Sequence, residues 1–235
     1  QYAEVDEINL LNIPSPHMTI SNVVRLRDEI ITYSKENIYD GFVITHGTDT
    51  LEETAFLIDL LIDIQEPIVI TGAMRSSNEI GSDGLYNFIS AIRVASSSEA
   101  NHKGVMVVFN DEIHTARNVT KTHTSNINTF QSPNQGPLGV LTKNRVQFYH
   151  HPYRQTTYQY IDVNLRVPLV KAYMGMEDDV LSFYSQQHVD GIVIEALGQG
   201  NLPKSCLNGL QQCLKKNIPL VLVSRSFNGI VSPVY

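Results

Sequence analysis

The sequence of 235 residues predicts an α/β protein with two parallel-sheet domains, a larger N-terminal one and a smaller C-terminal one. Three observations predict it. Short, continuously apolar runs of strand length recur along the chain, as strands buried on both faces require. Segments with helical period alternate with those runs, which is the pattern of βαβ units. Between two such alternations lies 150–167, with few periodic signals, which reads as a linker. The expected division is therefore 1–149, a linker at 150–167, and 168–235.

The elements follow in order. Residues 8–13 read as a strand, and Pro14-Ser15-Pro16-His17 as a loop stiffened by its two prolines. Residues 19–34 read as a helix with Ile20, Val23, Val24, Ile30 and Ile31 in helical period, Arg27 falling on the stripe and Leu26 beside it. A buried strand is expected at 41–45 and a helix at 51–64. A second buried strand runs from Pro67 to Thr71, followed by a long polar loop at 72–82. Asp83 is placed to cap a helix over 85–96. Residues 104–109 form a third apolar strand, and the polar segment 110–137 is too long for a simple connector. Residues 138–141 and 146–149 are spaced as a β-hairpin. In the C-terminal part, strands at 169–173, 191–197 and 219–224 alternate with helices near 177–187 and 203–217.

Composition narrows the function. Hydrophobic content of 42% and charged content of 17% are those of a globular chain. A net charge of -7 and a pI near 5.6 argue against a nucleic-acid partner and against adsorption to an anionic membrane. No stretch is long and apolar enough to span a bilayer. Cys206 and Cys213 fall two helical turns apart, about 10 Å along the axis, which is too far for a disulfide. The chain begins at Gln1 and ends at Ser232-Pro233-Val234-Tyr235 without a closing helix, so a fragment is expected, with any secretion signal upstream.

The most informative run is Gly41-Phe-Val-Ile-Thr-His-Gly-Thr-Asp-Thr-Leu-Glu-Glu-Thr-Ala55. It reads as a strand, a polar loop and a helix whose Thr50 and Glu53 have capping-box spacing. The loop sits where α/β proteins bind ligands, at the carboxyl end of a strand beside a helix N-terminus. It presents hydroxyls, the Asp49 carboxylate and the His46 imidazole together, with Gly47 permitting a tight turn and close approach. The same residues also suit an ordinary βα turn with a polar cap. A second candidate is Lys121, set among hydroxyls in a loop leaving a strand end. Near a threonine and an aspartate a lysine can accept a proton if burial lowers its pKa; a solvated loop lysine fits the same pattern. There is no phosphate-binding glycine loop, nucleophile elbow, Cys-x-x-Cys or His-Glu-x-x-His, and the histidines show no metal-ligand spacing. Arg75 and Asp83 suit loop bracing or helix capping. Thr71 is a candidate pocket residue, and Asn201 fits a helix N-cap.

Several motifs in one order resemble the bacterial-type L-asparaginase family. They are His46-Gly-Thr-Asp-Thr50 with Glu52-Glu53-Thr54-Ala55, Thr71-Gly-Ala-Met-Arg75 with Ser82-Asp-Gly84, and Ala116-Arg-Asn-Val-Thr-Lys-Thr122. Gly136-Pro-Leu-Gly139 and Gly198-Gln-Gly-Asn-Leu202 continue the series, so the resemblance covers nearly the whole chain. It implies hydrolysis of the side-chain amide of L-asparagine, and more weakly of L-glutamine, by threonine-based acyl transfer without metal or cofactor. It makes Thr48 the threonine of a Thr-Lys-Asp triad, Lys121 its proton-transfer partner, and Asp49 the holder of the substrate α-ammonium. Ser15 matches the residue binding the α-carboxylate, with Pro16 beside it, and Asn201 matches a support across a subunit contact. The family implies a homotetramer built as a dimer of dimers, expected in the cytoplasm.

The departures from that pattern shape the expectation. The family's other catalytic threonine, in a Thr-Gly-Gly-Thr segment on a first strand, its lid tyrosine and a C-terminal glutamate have no counterpart in this sequence. Both domains are therefore expected to be incomplete, and the activity of the chain alone is open. Pro16 and His17 stand where many relatives carry glutamine and aspartate, and Gln199 replaces a common asparagine. Two other readings remain at this stage: an amino-acid-binding relic without turnover, and the amidase subunit of a tRNA-dependent amidotransferase.

Overall fold

In a computed structural model, the residues described are 3–153, 156–159 and 161–232; Gln1 and 233–235, the chain ends singled out above, and positions 154, 155 and 160 of the expected linker lie outside them. The chain forms two compact units, Gln1–Ile161 and Asp162–Tyr235.

The first unit is built on a six-stranded sheet of order β1-β2-β3-β4-β7-β8. Its parallel half is β1 (Phe42–Thr45), β2 (Ile68–Thr71) and β3 (Val105–Phe109), joined by the crossover helices α2 (Leu51–Leu61) and α3 (Gly84–Ala95). Alternate strand residues serve the two faces, as a period of two requires. Ile68, Ile70, Val105 and Val107 pack with α2 and with α1 (Ile20–Ser34), whereas Val69, Met106 and Val108 pack with Ala91, Val94 and Ala95 of α3.

The other half is antiparallel: the expected hairpin at 138–149 joins the parallel strands in one sheet through an additional strand, β4. β4 (Glu112–Thr115) folds back on β3, with Phe109 opposite Glu112, so Asn110 and Asp111 alone make the turn. Both have positive φ, 48° and 66°, as a two-residue hairpin of the primed type demands. The hairpin of β7 (Gly139–Leu141) and β8 (Val146–Phe148) then adds to β4. Within the polar segment at 110–137, a short pair forms between β5 (Thr120–Lys121) and β6 (Phe130–Gln131).

Other local expectations shift. Residues 8–13 form no strand, because an apolar run becomes one only where a sheet edge takes its backbone groups. In α1 Ile20 is exposed and Leu26 packs on the core, and the N-terminus is closed by a reciprocal Thr19–Asn22 capping box.

In the second unit, β9 (Leu169–Lys171), β10 (Ile192–Ala196) and β11 (Leu220–Ser224) form a parallel sheet of order β11-β10-β9. It packs with α4 (Asp179–Gln186) and α5 (Leu207–Lys215) around Leu181, Ile192, Ile194, Cys206 and Cys213. Both cysteines are buried and free. The outer strand β11 leaves Val221, Leu222 and Val223 exposed, so this sheet is not covered throughout. Among the described residues no helix is long and apolar enough to cross a membrane.

Candidate active site

The loop between β1 and α2 is held from outside. The one-turn helix Ser15–His17 brings Ser15 against it: Ser15 Oγ accepts from the Asp49 N–H at 3.2 Å, and Thr50 donates its hydroxyl to the Ser15 carbonyl at 2.7 Å. Thr50 therefore makes no capping bond of its own, and the capping box expected with Glu53 is absent. A carbonyl brought in by the fold outcompeted the local N–H. The same contact explains Gly47, where a Cβ would lie 2.7 Å from Ser15 Oγ. Close approach of Ser15, rather than of a ligand, requires the glycine. Pro16 is exposed beside it.

His46 is locked behind the loop. Its Nδ1 lies 2.7 Å from the Gly47 carbonyl, which can only accept, so Nδ1 carries the proton and Nε2 accepts from the Thr54 hydroxyl at 3.0 Å. Burial holds the imidazole below its usual pKa, against a smaller opposing effect of the Gly47 bond. His46 is thus a neutral brace rather than an exposed base.

Thr48, Asp49 and Lys121 come together. Lys121 Nζ, on β5, donates to Thr48 Oγ1 at 3.0 Å and to Asp49 Oδ1 at 2.7 Å. The two contacts span 73 and 72 residues of sequence. The Lys121 side chain is 18% exposed and that of Asp49 59%, so the carboxylate reaches solvent while the ammonium is mostly enclosed. With Nζ donating to both, the resting arrangement is an ammonium–carboxylate pair with a hydroxyl beside it. At 3.0 Å the amine, once neutral, is within reach of the threonine proton. Asp49, Glu52 and Glu53 gather at the start of α2, where the helix dipole favours negative charge.

Backbone geometry fixes the lysine strand. Lys121 N–H donates to Glu52 Oε2 of α2 at 2.5 Å, and β5 is laddered to β6 with Lys121 opposite Phe130. Two turns further along α2, Asp59 accepts from Arg117 Nε at 2.7 Å and from Val105 N–H at 3.0 Å. The sequence reading had no role for Glu52 beyond the motif and none for Asp59. Their partners lie 69 and 58 residues away, so no local signal marks them.

The remaining candidates fall elsewhere. Thr71 is opposite Thr45 and lines a cavity there, as expected, but its hydroxyl is buried and donates to the Val108 carbonyl at 2.6 Å, so it locks two strands. A cavity of about 400 Å³ lies on that side of the loop, lined by Thr45, His46, Gly47, Thr71 and Gly72 among others. Asp83 holds the N-cap position of α3 as expected, but its carboxylate makes no capping bond and instead accepts from the N–H groups of Met74 and Arg75 and from Asn87 Nδ2, bracing the 72–82 loop. Asn201 belongs to the second unit, where its backbone bridges Leu197 after β10; it is no helix N-cap, since Pro203 holds that position for the short turn and Cys206 for α5. Among the described residues no group of His, Cys, Asp or Glu is arranged to hold a metal.

Comparison with known proteins gives a consistent result. Residues 1–154 match the family described as Asparaginase, N-terminal, and residues 166–235 match the Glutaminase/Asparaginase C-terminal domain. The chain is 32% identical over 232 residues to the L-asparaginase of Bacillus licheniformis, covering 99% of this chain and 72% of that protein. It is 36% identical over 233 residues to L-asparaginase 2 of Escherichia coli (strain K12), covering 97% of this chain and 66% of that one. A crystal structure of a probable cytoplasmic L-asparaginase from Campylobacter jejuni aligns with a TM-score of 0.93 at 34% identity, over 98% of this chain and 76% of that chain.

Proposed function

The chain belongs to the asparaginase family, and from that premise we propose that it hydrolyses the side-chain amide of L-asparagine to L-aspartate and ammonia. The observation that carries the reading is the convergence of Lys121 Nζ on Thr48 Oγ1 and Asp49 Oδ1 at the start of α2. Thr48 and Lys121 handle the attacking hydroxyl, either that of the threonine or a water held by it. Lys121, as the neutral amine, takes the proton as oxygen bonds to the amide carbon, and returns it to the nitrogen as ammonia leaves. Where the threonine attacks, a water then cleaves the resulting ester to give the carboxylate of aspartate; where the held water attacks, that carboxylate forms directly. No step requires a cofactor.

Asp49 holds the substrate α-ammonium with the carboxylate oxygen that Lys121 leaves open to solvent. Ser15 and Pro16 face the α-carboxylate, with Ser15 also setting the Asp49 backbone. The family's glutaminase label admits L-glutamine as a second substrate. Asn201 supports the site of a partner subunit in a homotetramer arranged as a dimer of dimers, in the cytoplasm. The binding-relic and amidotransferase readings are not favoured, since the matched relatives carry the name L-asparaginase.

The test is ammonia release from L-asparagine and from L-glutamine by the purified protein, alongside Thr48→Val. We expect turnover of asparagine that the variant loses. An inactive wild-type protein that binds asparagine without turnover would return the assignment to a binding relic.

A further inference from the structure

Outside the reacting trio lie the buried Glu112–His114–Ser132 cluster, the exposed apolar side chains of α3 around Leu85 and Ile89, and the carboxylates of α2 that reach the lysine segment. Thr48 and Asp49 lie in the loop that leads directly into α2, whereas Lys121 arrives on a two-residue strand in a long polar segment. A short strand paired on one side to another short strand is a weak frame for an ammonium that must sit within hydrogen-bond reach of a hydroxyl. Glu52 joins the two frames directly. It stands in the first turn of the helix that follows the Thr48–Asp49 loop, and its Oε2 takes the N–H of Lys121 itself at 2.5 Å. Asp59, seven residues on and so on the same helix face, anchors Arg117 at the start of that segment.

We propose that Glu52 is a positioning residue for catalysis, its carboxylate setting the backbone of Lys121 so that the ammonium meets Thr48 and Asp49. The role concerns an accepting oxygen at one place, not negative charge at a helix N-terminus. Glu53, exposed in the same first turn, carries the same charge and serves as the control. The inference rests on the asparagine-hydrolysis reading for its kinetic arm and on geometry alone for its second arm.

The experiment compares Glu52→Ala, Glu52→Gln and Glu53→Ala in the full chain. Misplacing a reacting group by about 1 Å costs on the order of 100-fold. Glu52→Ala is therefore expected to lower kcat about 10- to 100-fold with KM for asparagine nearly unchanged. Glu52→Gln keeps an accepting oxygen and is expected to restore most of the loss, and Glu53→Ala to leave kcat as it is. Amide hydrogen exchange supplies the second arm. The Lys121 N–H is expected to be protected in the wild type and in Glu52→Gln, and to exchange freely in Glu52→Ala while Ile70 and Val107 stay protected. An unprotected Lys121 amide in the wild type, or equal losses in Glu52→Ala and Glu53→Ala, overturns the proposal. If the wild type releases no ammonia, the functional reading fails on its own and amide exchange still decides whether Glu52 sets the lysine. Should Glu52→Ala fail to fold, the wild-type exchange and the Glu52→Gln rates carry the decision.

Discussion

Two clusters of the first unit hold the same three chemical types, a hydroxyl, a nitrogen base and a carboxylate. In one, Lys121 touches Thr48 and Asp49 at the carboxyl end of β1. In the other, His114 Nδ1 lies 2.9 Å from Ser132 Oγ, and Nε2 lies 3.4 Å from Glu112 Oε2. Their surroundings differ. His114 is 0% exposed and burial lowers its pKa to about 4, so it stays neutral at pH 7. Among the described residues its Nε2 finds no hydrogen-bond partner, because the Glu112 contact is an ion-pair distance without hydrogen-bond geometry. Ser132 is buried as well, so no substrate can reach its hydroxyl. Asp49, by contrast, is open to solvent, and the lysine beside it has a carboxylate to hold its charge. Residue types alone do not make a site. A reactive group needs access for substrate, and the strand ends of an α/β sheet supply it.

The largest effect separates the two clusters by turnover. Thr48→Val is expected to lower kcat by about 10⁴-fold with an unchanged melting temperature, since losing one member of a unit acts this way. Ser132→Ala is expected to leave kcat unchanged. A comparable loss of kcat in Ser132→Ala, with the fold intact, would break the contrast.

Next comes the anchoring beneath the lysine segment. Asp59→Ala removes a buried carboxylate from Arg117 Nε and from the Val105 N–H, and is expected to destabilise by about 3 kcal/mol in urea unfolding. A change under about 0.5 kcal/mol, the range of ordinary surface positions, would mean the pair holds nothing.

The buried cluster should show itself in acid. His114 has a folded pKa of about 4 against 6.5 in the unfolded chain, so the unfolded state binds more protons between those values. Stability is then fully present above pH 6.5 and is lost as pH falls toward 4, by on the order of 3 kcal/mol. His46 is lowered too and adds in the same direction, while Glu112, raised by burial, opposes it in the lower part of the window. Unfolding measured at pH 7 and at pH 5 should differ less in His114→Asn than in the wild type. An equal pH slope in both would remove His114 as the cause.

The smallest effect refines the open cluster. Asp49→Asn is expected to raise KM for asparagine by about tenfold, the loss of one exposed charge pair to the α-ammonium. An unchanged KM would assign that pairing to another group.

Much of the framework was legible along the chain. The apolar runs of β1, β2 and β3 and the helical periods of α2 and α3 fell within a few residues of their positions. The loop at 45–50 was legible as a candidate site because it follows a strand and opens a helix, although an ordinary βα turn fitted the same residues. The β4 strand was missed, although Asn110-Asp111 ahead of alternating Glu112, Ile113, His114 and Thr115 is a hairpin signal. The polar composition around it hid the alternation. Thr50 was misread for a different reason, because its hydroxyl went to the Ser15 carbonyl, 35 residues away.

By itself the sequence determined the class and the alternation of strands and helices, which depend on side-chain period and turn chemistry acting over a few residues. The order of its motifs carried the resemblance to the asparaginase family, and that resemblance singled out the hydroxyl, carboxylate and amine as candidates. Only the tertiary structure decided that Lys121 reaches Thr48 and Asp49, that Glu52 rather than Glu53 finds a partner, and that His114 is sealed while Asp49 is open. Those outcomes rest on contacts between segments tens of residues apart. Such contacts form only once the sheet and its crossover helices bring the segments together, and burial then decides which groups keep their charge.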